Sequence, residues 1–416
     1  MKVLWCTNIM LSDTHKSSGN WMYSLLDRIS SLYPEIEFAL FSIGNVTEIT
    51  GGVFRNFKQL VFPDYILGKN GLPSGEVIIH IKNYIDDFAP NLIHIWGVEK
   101  FWAALSLQLS DRYKVLLEMQ GSKNLCVEPF LGYLPNTLFY KYFGVLEMIY
   151  PGSFPPIQQK KFSSDGLIEQ KVIKQSSYIN TQSQFVKKYV NSLNKNAKVF
   201  DTNIILRSEI INAVPWSEPT GLNEMQIFSV ASAIPYKGVH ITIKAFADLK
   251  KKIPNVRLKI AGINVNTNPI KNPAYVKYIL RLIKTLGISD SVSLPGVLSA
   301  EEIIQEFRKS TVFVVSSFIE TYCLALAEAL YIGVPCLASD IDALQEFQPK
   351  EDTELSLLHY AKGNVHECSQ KLEMVLKEIA LRTTLSKNAR KNAVLRNDDV
   401  SIAVNQYEIY KEMING

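Results

Sequence analysis

Short apolar runs alternate with amphipathic stretches along the whole chain, and this alternation predicts parallel β-sheets covered by helices. In the first half, Trp21, Leu25 and Ile29 recur at helical spacing directly after the first apolar run, so a helix is predicted there. The strands predicted in this half are 3–7, 37–42, 92–96, 115–120 and 178–181.

A second series of the same kind starts near Met225. Ser299 and Glu302 form a capping box that predicts the start of one helix, and Gly333 followed by Pro335 predicts the end of another. The strands predicted in this half are 227–231, 257–261, 292–294, 312–316 and 335–339, and the helices are 244–252, 300–309 and 324–332.

The chain of 416 residues is long enough for two domains. The segment 212–224 is polar, contains proline and has no periodicity, so we predict an interdomain linker there. We therefore predict an α/β fold with one Rossmann-like domain over 1–211 and a second over 225–395. A C-terminal helical segment, 396–416, is expected to return to the first domain.

Composition excludes several classes of protein. Hydrophobic residues make up 47% and charged residues 20%, which is typical of a folded soluble protein. The net charge of +4 is too small for a nucleic-acid-binding surface. The apolar start of the chain is too short for a signal peptide, and no run reaches the roughly 18 residues of a transmembrane helix. The five cysteines form no CxxC pair, which argues against a zinc site or a disulfide framework and favours the reducing cytoplasm.

The segment 130–154 is unusually aromatic. The favoured interpretation is a helix and loop insertion packed on the first domain, because aromatic side chains mostly fill cores. The alternative is a surface that meets a lipid-linked acceptor or the bilayer interface, which would bring the protein to the inner face of the membrane.

Two glutamates mark the segment 316–328, where a buried strand runs through a short loop into a helix. Unpaired N–H groups at the helix start, from Tyr322, Cys323 and Leu324, suit a phosphate. Glu320 in the loop would reach the hydroxyls of an adjoining sugar, and Glu328 on the helix would accept from two ribose hydroxyls. The alternative is a helix-capping Glu320 and an ordinary surface Glu328.

Three further strand ends carry candidate residues. Lys237 and Gly238 would place an ammonium and a bare backbone against a diphosphate, although such a pair is more often a solvated turn. Gly262 ends the next strand, where a ligand can approach closely. Val297 follows the strand after that.

These four segments, in this order and spacing, resemble glycosyltransferase family 4, the retaining transferases of the GT-B fold. Glu320 and Glu328 match that family's Glu-x7-Glu pattern, and Lys237 and Gly238 match its Lys-Gly pair. The resemblance implies two Rossmann-like domains facing across a cleft. It also implies that Glu320 binds the donor sugar, Glu328 the ribose and Lys237 the diphosphate.

The sequence departs from the family at two donor positions. Many members have an arginine five residues before the lysine, where this chain has Ser232. A small glycine-rich turn is replaced here by Thr321, Tyr322 and Cys323. Arg207 is one candidate for the missing cation. Otherwise, weak or absent turnover is expected.

In the first half, Gly19 and Asn20 follow the first strand. The family often places a glycine-containing loop there, close to the donor phosphate, and a simple turn with Asn20 as N-cap is an equal alternative. Gln120 and Gly121 align with the strand end where many members have a catalytic histidine. A glutamine cannot titrate, so Gln120 would hydrogen-bond the sugar.

The preceding strand end has the pattern HxWGxE, from His94 to Glu99. With the Gln-Gly pair, it is similar to a subset of bacterial polysaccharide-type transferases. Glu99 would orient the acceptor. His94 lies on an apolar strand and is interpreted as a core residue.

The resemblance implies a retaining hexosyl-type glycosyltransferase that takes a nucleoside-diphosphate sugar, UDP-linked for example, to a hydroxyl of a sugar or lipid-linked acceptor in polysaccharide or glycoconjugate synthesis. It implies no cofactor and no metal. The alternative is a weak or inactive binding partner of another glycosyltransferase. The expected catalytic residues are Glu320, Lys237 and Gln120, the donor-binding residues Gly19, Asn20, Ser232, Lys237, Gly238, Gly262, Val297, Glu320, Thr321, Tyr322, Cys323, Leu324 and Glu328, and the acceptor-side residues Glu99 and Gly121.

Overall fold

The computed structural model describes residues 1–12, 20–219, 225–349 and 354–416. Its contacts divide the chain into two compact units. The first unit comprises Met1–Asn124, Ser163–Arg207 and Asn397–Gly416, and the second comprises Leu125–Phe162 and Ser208–Arg396.

The strands of the described residues are β1 (Lys2–Thr7), β2 (Glu37–Gly44), β3 (Thr50–Phe54), β4 (Phe57–Pro63), β5 (Leu92–Trp96), β6 (Lys114–Met119), β7 (Tyr178–Thr181), β8 (Lys198–Asp201), β9 (Met225–Val230), β10 (Val256–Ala261), β11 (Val292–Gly296), β12 (Val312–Val315), β13 (Cys336–Asp340) and β14 (Leu358–Ala361). The α-helices are α1 (Asn20–Leu32), α2 (Gly75–Phe88), α3 (Phe101–Leu109), α4 (Lys123–Val127), α5 (Asn136–Lys141), α6 (Val145–Ile149), α7 (Pro155–Gln175), α8 (Gln184–Leu193), α9 (Ser208–Ile211), α10 (Val239–Lys250), α11 (Ala274–Thr285), α12 (Ala300–Lys309), α13 (Leu324–Ile332), α14 (Asp342–Gln345), α15 (Val365–Lys377), α16 (Ile379–Arg396) and α17 (Asp399–Asn415).

The first unit contains a sheet in the order β3-β4-β2-β1-β5-β6-β7-β8. Its strand pairs are parallel apart from β3 with β4, which is antiparallel. From β1 the chain moves outward to β2, and it later returns to place β5 on the other side of β1. The carboxyl ends of β1 and β5 therefore form a topological switch point, the usual ligand position in such sheets.

The last helix, α17, packs in the first unit against α1. Arg28 and Asp399 form an ion pair between these two helices. The fully buried Tyr410 hydroxyl accepts a hydrogen bond from Trp5 Nε1 at 3.0 Å. The segment expected to return to the first domain thus lies in the first unit.

The second unit contains a sheet in the order β11-β10-β9-β12-β13-β14, with parallel pairs throughout. Its switch point lies between β9 and β12. Helices α12 and α13 have the predicted bounds, and the capping box of Ser299 and Glu302 is confirmed. The helix end at Gly333 is also confirmed.

The aromatic segment belongs to the second unit, whereas the sequence placed it in the first domain. Phe130, Phe139 and Phe154 are buried in the core of the second unit. Glu147 accepts a hydrogen bond from the main-chain N–H of Ala274, at the start of α11. These three buried side chains and this hydrogen bond hold the segment in the second unit, although the residues before and after Leu125–Phe162 belong to the first.

The segment predicted as a linker is tied to the second unit as far as it is described, over 212–219. Trp216 is buried, its main-chain N–H donates to the Ile332 carbonyl, and its ring Nε1 donates to the Ser310 carbonyl. Glu218 pairs with Arg382 at 2.6 Å. The polar composition of the segment did not predict these contacts of Trp216 and Glu218.

No helix in the described ranges combines the length and the apolar character needed to cross a bilayer.

Candidate active site

The second unit brings two of the predicted catalytic residues into contact. Lys237 Nζ lies 2.7 Å from Glu320 Oε1, and Ser317 Oγ donates to the same oxygen at 2.7 Å. Lys237 follows β9 and Glu320 follows β12, so the pair lies at the switch point of this sheet. Burial alone would lower the pKa of the Lys237 ammonium, but the Glu320 carboxylate raises it well above its usual value. Lys237 is therefore protonated at neutral pH, and Glu320 is its partner at this end of the sheet.

The loops that carry these two residues interlock. Gly238 has φ of 68°, and any side chain there would collide with the Ser316 carbonyl oxygen. The Phe318 N–H donates to the Tyr236 carbonyl at 2.8 Å. Glycine is thus required at 238 for the β9 and β12 loops to approach, which is a structural reason for the Lys-Gly pair.

Helix α13 begins directly beyond Glu320. Cys323 precedes its first residue and has φ of 87° and ψ of 76°, a left-handed conformation that is costly for a residue with a side chain. The Leu326 and Ala327 amides donate to the Cys323 carbonyl, whereas the first two amides, those of Leu324 and Ala325, precede any acceptor that the helix provides. Burial raises the pKa of the Cys323 thiol to about 12, and Glu320, Lys237 and Glu328 all act on that thiol electrostatically. Glu320 lies four residues before the first residue of the helix, and Glu328 is the fifth residue of the helix.

The other predicted donor residues are distributed along the same sheet edge. Gly262 follows β10, and its N–H donates to the Gly296 carbonyl at 2.7 Å. Val297 follows β11 and Ser232 follows β9, and both are exposed. The Tyr322 ring is buried against Phe347, with centroids 5.4 Å apart, so the side chain packs in the core.

In the first unit, polar side chains converge above Gly97, which follows β5 with φ of 92°. A side chain at 97 would collide with the Glu99 carboxylate and would lie 2.7 Å from Asn8 Nδ2 and 3.2 Å from Gln120 Oε1. Asn8 Nδ2 donates to Glu99 Oε2 at 3.0 Å. The cluster occupies the carboxyl ends of β1, β5 and β6, and therefore the switch point of this sheet.

Glu99 has an unusual ionisation. Burial raises the pKa of its carboxyl to about 7, although Lys123 and the hydrogen bond from Asn8 act in the opposite direction. Such a group exchanges protons near neutral pH, the property needed for acid and base chemistry. Gly121 is also close, since a methyl group there would lie 3.0 Å from Glu99 Oε1.

Of the glycine-containing loop predicted after the first strand, the structure describes only the main chain of Asn20. Asn20 is the first residue of α1, and its side chain is not among those described. Gly19 lies outside the described residues. Arg207, the candidate replacement cation, belongs to the first unit, whereas Lys237 belongs to the second.

His94 is a core residue, as its apolar strand predicted. It is fully buried, its Nδ1 bonds the Tyr410 hydroxyl at 2.7 Å, and its Nε2 bonds Glu118 Oε2 at 3.2 Å. Burial lowers the pKa of the imidazole despite the Glu118 carboxylate, so the ring is neutral. Both ring nitrogens have structural partners.

The chain is similar to known glycosyltransferases in part of its sequence and in its fold. Residues 212–392 match the model of the family described as glycosyl transferases group 1. An uncharacterized glycosyltransferase of Haemophilus influenzae is 26% identical over 194 residues, which cover 46% of this chain and 51% of that protein. The chain spans about half or less of the length of the curated relatives it matches.

Solved structures match over nearly the whole chain. Sucrose-phosphate synthase from Thermosynechococcus elongatus has a TM-score of 0.72 at 15% identity and covers 100% of both chains. HepE from Anabaena, in complex with UDP and glucose, has a TM-score of 0.68 at 15% identity and covers 99% of this chain and 100% of that chain. At this identity the likeness shows the fold, the GT-B class with two Rossmann-like units built on parallel sheets.

The family match covers the cluster around Lys237 and Glu320 and not the one around Glu99. Sequence reasoning missed two members of these clusters, Ser317 and Asn8. Ser317 lay within the motif segment, one residue beyond a predicted strand end. Asn8 directly follows the first strand, and its position at a carboxyl end was the available indication.

Proposed function

We propose that this protein is a retaining glycosyltransferase that moves a hexose from a nucleoside-diphosphate sugar to a hydroxyl acceptor. The observation that carries the proposal is the contact of Lys237 with Glu320 at the switch point beside the start of α13. This cluster lies within the segment that matches the group 1 glycosyl transferases.

Such a reaction needs positive charge beside its leaving group. As the bond from the anomeric carbon to the β-phosphate breaks, negative charge develops on the leaving diphosphate. The Lys237 ammonium and the first two amides of α13 would stabilise that charge, which is the main catalytic contribution in this proposal. An ammonium has three N–H donors, so Lys237 would keep its contact with Glu320 and still donate to the diphosphate.

The glutamates take the remaining roles. Glu320 would bind hydroxyls of the donor sugar, and Glu328 would accept from the two hydroxyls of the ribose. The acceptor hydroxyl would pass its proton to the departing phosphate oxygen while attacking from the same face, so the configuration is retained without a carboxylate nucleophile. In this scheme Lys237 and the helix supply the positive charge, and we propose that no metal is needed.

The acceptor side is assigned to the first unit. Gln120 would hydrogen-bond a sugar hydroxyl, and Glu99, with Gly121 beside it, would orient the acceptor hydroxyl. A carboxyl with its pKa near 7 is able to accept and return a proton at neutral pH.

We further propose a uridine nucleotide as donor and a sugar or lipid-linked acceptor of a surface polysaccharide or glycoconjugate. The crystal structure of HepE, which shares the fold, is of a complex with UDP and glucose. The proposed location is the cytoplasm, with action at the inner face of the membrane where the acceptor is lipid-linked.

Calorimetric titration with UDP and UDP-glucose tests the donor site. Lys237→Ala and Glu328→Ala should each weaken binding by about tenfold to a hundredfold, because each removes a charge-assisted contact. Lys251→Ala and Glu301→Ala, at exposed positions of the same unit, are the matched controls. Wild-type affinity in both site variants for every nucleotide sugar tested would remove the proposal.

Turnover by the purified chain separates a transferase from a binding protein. We expect release of the nucleoside diphosphate from the donor by the chain alone, unchanged by EDTA, and an α-linked product from an α-linked donor by NMR. Tight donor binding with no turnover toward any acceptor would favour a binding role instead.

A further inference from the structure

The short helix α6 exposes its apolar face and buries its acidic residue. Met148 and Ile149 are 70% and 62% exposed, and Val145, which shares their face at helical spacing, is also exposed. Glu147, by contrast, is buried. This is the reverse of the usual arrangement for a helix on the surface of a protein in water.

The reversed orientation is fixed by three hydrogen bonds to the Glu147 carboxylate. It accepts from the Gly144 N–H at 2.9 Å, from the Ala274 N–H at 2.6 Å and from Lys277 Nζ at 3.2 Å. A buried carboxylate with three donors holds the helix in one rotation about its axis. The exposure of the apolar face is therefore built into the fold of the second unit.

Exposed aromatic side chains extend this apolar face. Tyr140 and Phe143 both pack edge-on against the buried Phe154, with ring centroids 5.2 Å and 5.1 Å away, and both reach solvent. Tyr150 directly follows α6 and is exposed as well. We call Tyr140, Phe143, Val145, Met148, Ile149 and Tyr150 the apolar patch.

The charges of the same segment are mostly basic. Lys141 adjoins Tyr140, and Lys160 and Lys161 share the exposed face of α7 with Ile157, three and four residues before them. Leu125–Phe162 has two acidic residues, the buried Glu147 and Glu128, which accepts a hydrogen bond from Tyr133. The exposed surface of this segment therefore suits an anionic partner.

We infer that the apolar patch inserts into the interface of an anionic lipid bilayer, with Lys141, Lys160 and Lys161 contacting the headgroups. Tyrosine and phenylalanine mixed with aliphatic side chains, beside lysines, is the composition of interfacial membrane-binding segments. The basic charge favours a lipid surface over an uncharged protein surface. The inference does not depend on sugar transfer, because none of these residues belongs to the proposed donor or acceptor site.

Vesicle flotation with the full chain tests the apolar contribution. Phosphatidylcholine vesicles with about 30% phosphatidylglycerol should carry the wild-type chain, whereas Met148→Ser with Ile149→Ser should lower the bound fraction about tenfold. The matched control is Leu395→Ser with Ile379→Ser, because these positions are 71% and 61% exposed in the same unit, and it should float like the wild type.

Charge reversal tests the headgroup contact. Lys160→Glu with Lys161→Glu should lower binding to anionic vesicles several-fold and flatten its salt dependence. Lys187→Glu with Lys188→Glu, another adjacent pair within a helix, is the control and should leave binding unchanged. Thermal melting of every variant confirms that it is folded.

Two outcomes would overturn the inference. One is wild-type flotation of the Met148 and Ile149 double variant. The other is a wild-type chain that does not bind anionic vesicles and forms a dimer in solution, while the same double variant is a monomer. The apolar patch would then bind a second copy of the chain.

Discussion

At the scale of single residues, the absence of a side chain at Gly97 leaves room for the Glu99 carboxyl, whose pKa is raised by burial. A side chain at 97 would take the space of the Glu99 carboxylate and would crowd Asn8 and Gln120. Burial there holds the pKa of Glu99 at about 7, above the ordinary 4.5. Between these values the folded state binds more protons than the unfolded state, so this residue lowers stability as the pH rises through that window.

Glu99→Gln should therefore raise the melting temperature more at pH 8 than at pH 5, because the variant removes a carboxylate that is charged and poorly solvated only at the higher pH. Melting followed by circular dichroism at the two pH values measures the difference. Glu76→Gln, at an exposed position of α2, controls for the loss of a negative charge. An equal effect of Glu99→Gln at both pH values would contradict the raised pKa.

Cys323 supports a second prediction at this scale. Its left-handed conformation costs a side-chain-bearing residue about 1–2 kcal/mol relative to glycine. Cys323→Gly should accordingly raise the free energy of unfolding by about 1 kcal/mol in urea titration, and Cys323→Val should lower it because β-branched side chains fit this region worst. Stabilisation by valine would show that the conformation is not strained.

The strain at Cys323 was not predictable from the sequence, because Thr321, Tyr322 and Cys323 replace the glycines that normally mark such a turn. His94 was predictable, since a histidine in an apolar strand needs buried partners, but its partner Tyr410 lies more than 300 residues away. Local pattern thus indicated that His94 lies in the core, and not which residues it contacts.

At the scale of elements, strong apolar patterns predicted the central strands well. All five strands predicted in the first half and all five in the second are present, with no end shifted by more than two residues. The missed strands are β3, β4, β8 and β14. β3 is glycine-rich and mostly exposed, and β8 is a short strand at the sheet edge, so neither has the buried apolar run by which strands were recognised.

The assignment of α5 to the second unit predicts which residues of this helix contribute to stability. Phe139 on this helix is fully buried in the core of the second unit, and the adjacent Tyr140 is exposed. Phe139→Ala should cost about 3–5 kcal/mol, because it removes a large side chain and leaves a cavity. Tyr140→Ala is the matched control and should cost well under 1 kcal/mol.

Hydrogen exchange with mass spectrometry locates the effect of Phe139→Ala. Protection should fall in peptides of β9, β10 and α11, which belong to the second unit, and should persist in β1 and β5. Loss of protection in β1 and β5 alone would place α5 in the first unit, where the sequence had put it.

At the scale of the whole molecule, the chain path is the feature that sequence reasoning resolved least. The first unit is assembled from three separate segments and the second from two. The polar segment 212–224 has the composition of a linker, yet its described part is anchored by Trp216 and Glu218. Contacts between distant segments decide unit membership, and a single sequence does not display them.

The assignment of the C-terminal helix to the first unit can be tested by removing that helix. Tyr410 bonds both Trp5 and His94, and Met413 and Ala403 are buried beside it in the same unit. Removing 397–416 would leave the Trp5 and His94 nitrogens without that hydroxyl and expose the apolar surface that α17 covers. Hydrogen exchange should then lose protection in β1 and β5, while β9, β12 and α13 keep theirs.

Tyr410→Phe separates the two contributions, since it removes the hydroxyl and keeps the packing. It should destabilise the first unit by about 1–3 kcal/mol, less than the truncation does, because two buried hydrogen bonds are lost and no apolar surface is exposed. Tyr407→Phe is the control. The Tyr407 hydroxyl donates a hydrogen bond to Glu35 at an exposed position, so its removal should change stability little. If the truncated chain lost protection equally in both units, the helix would not belong to the first unit alone, and the division of the chain described above would be wrong.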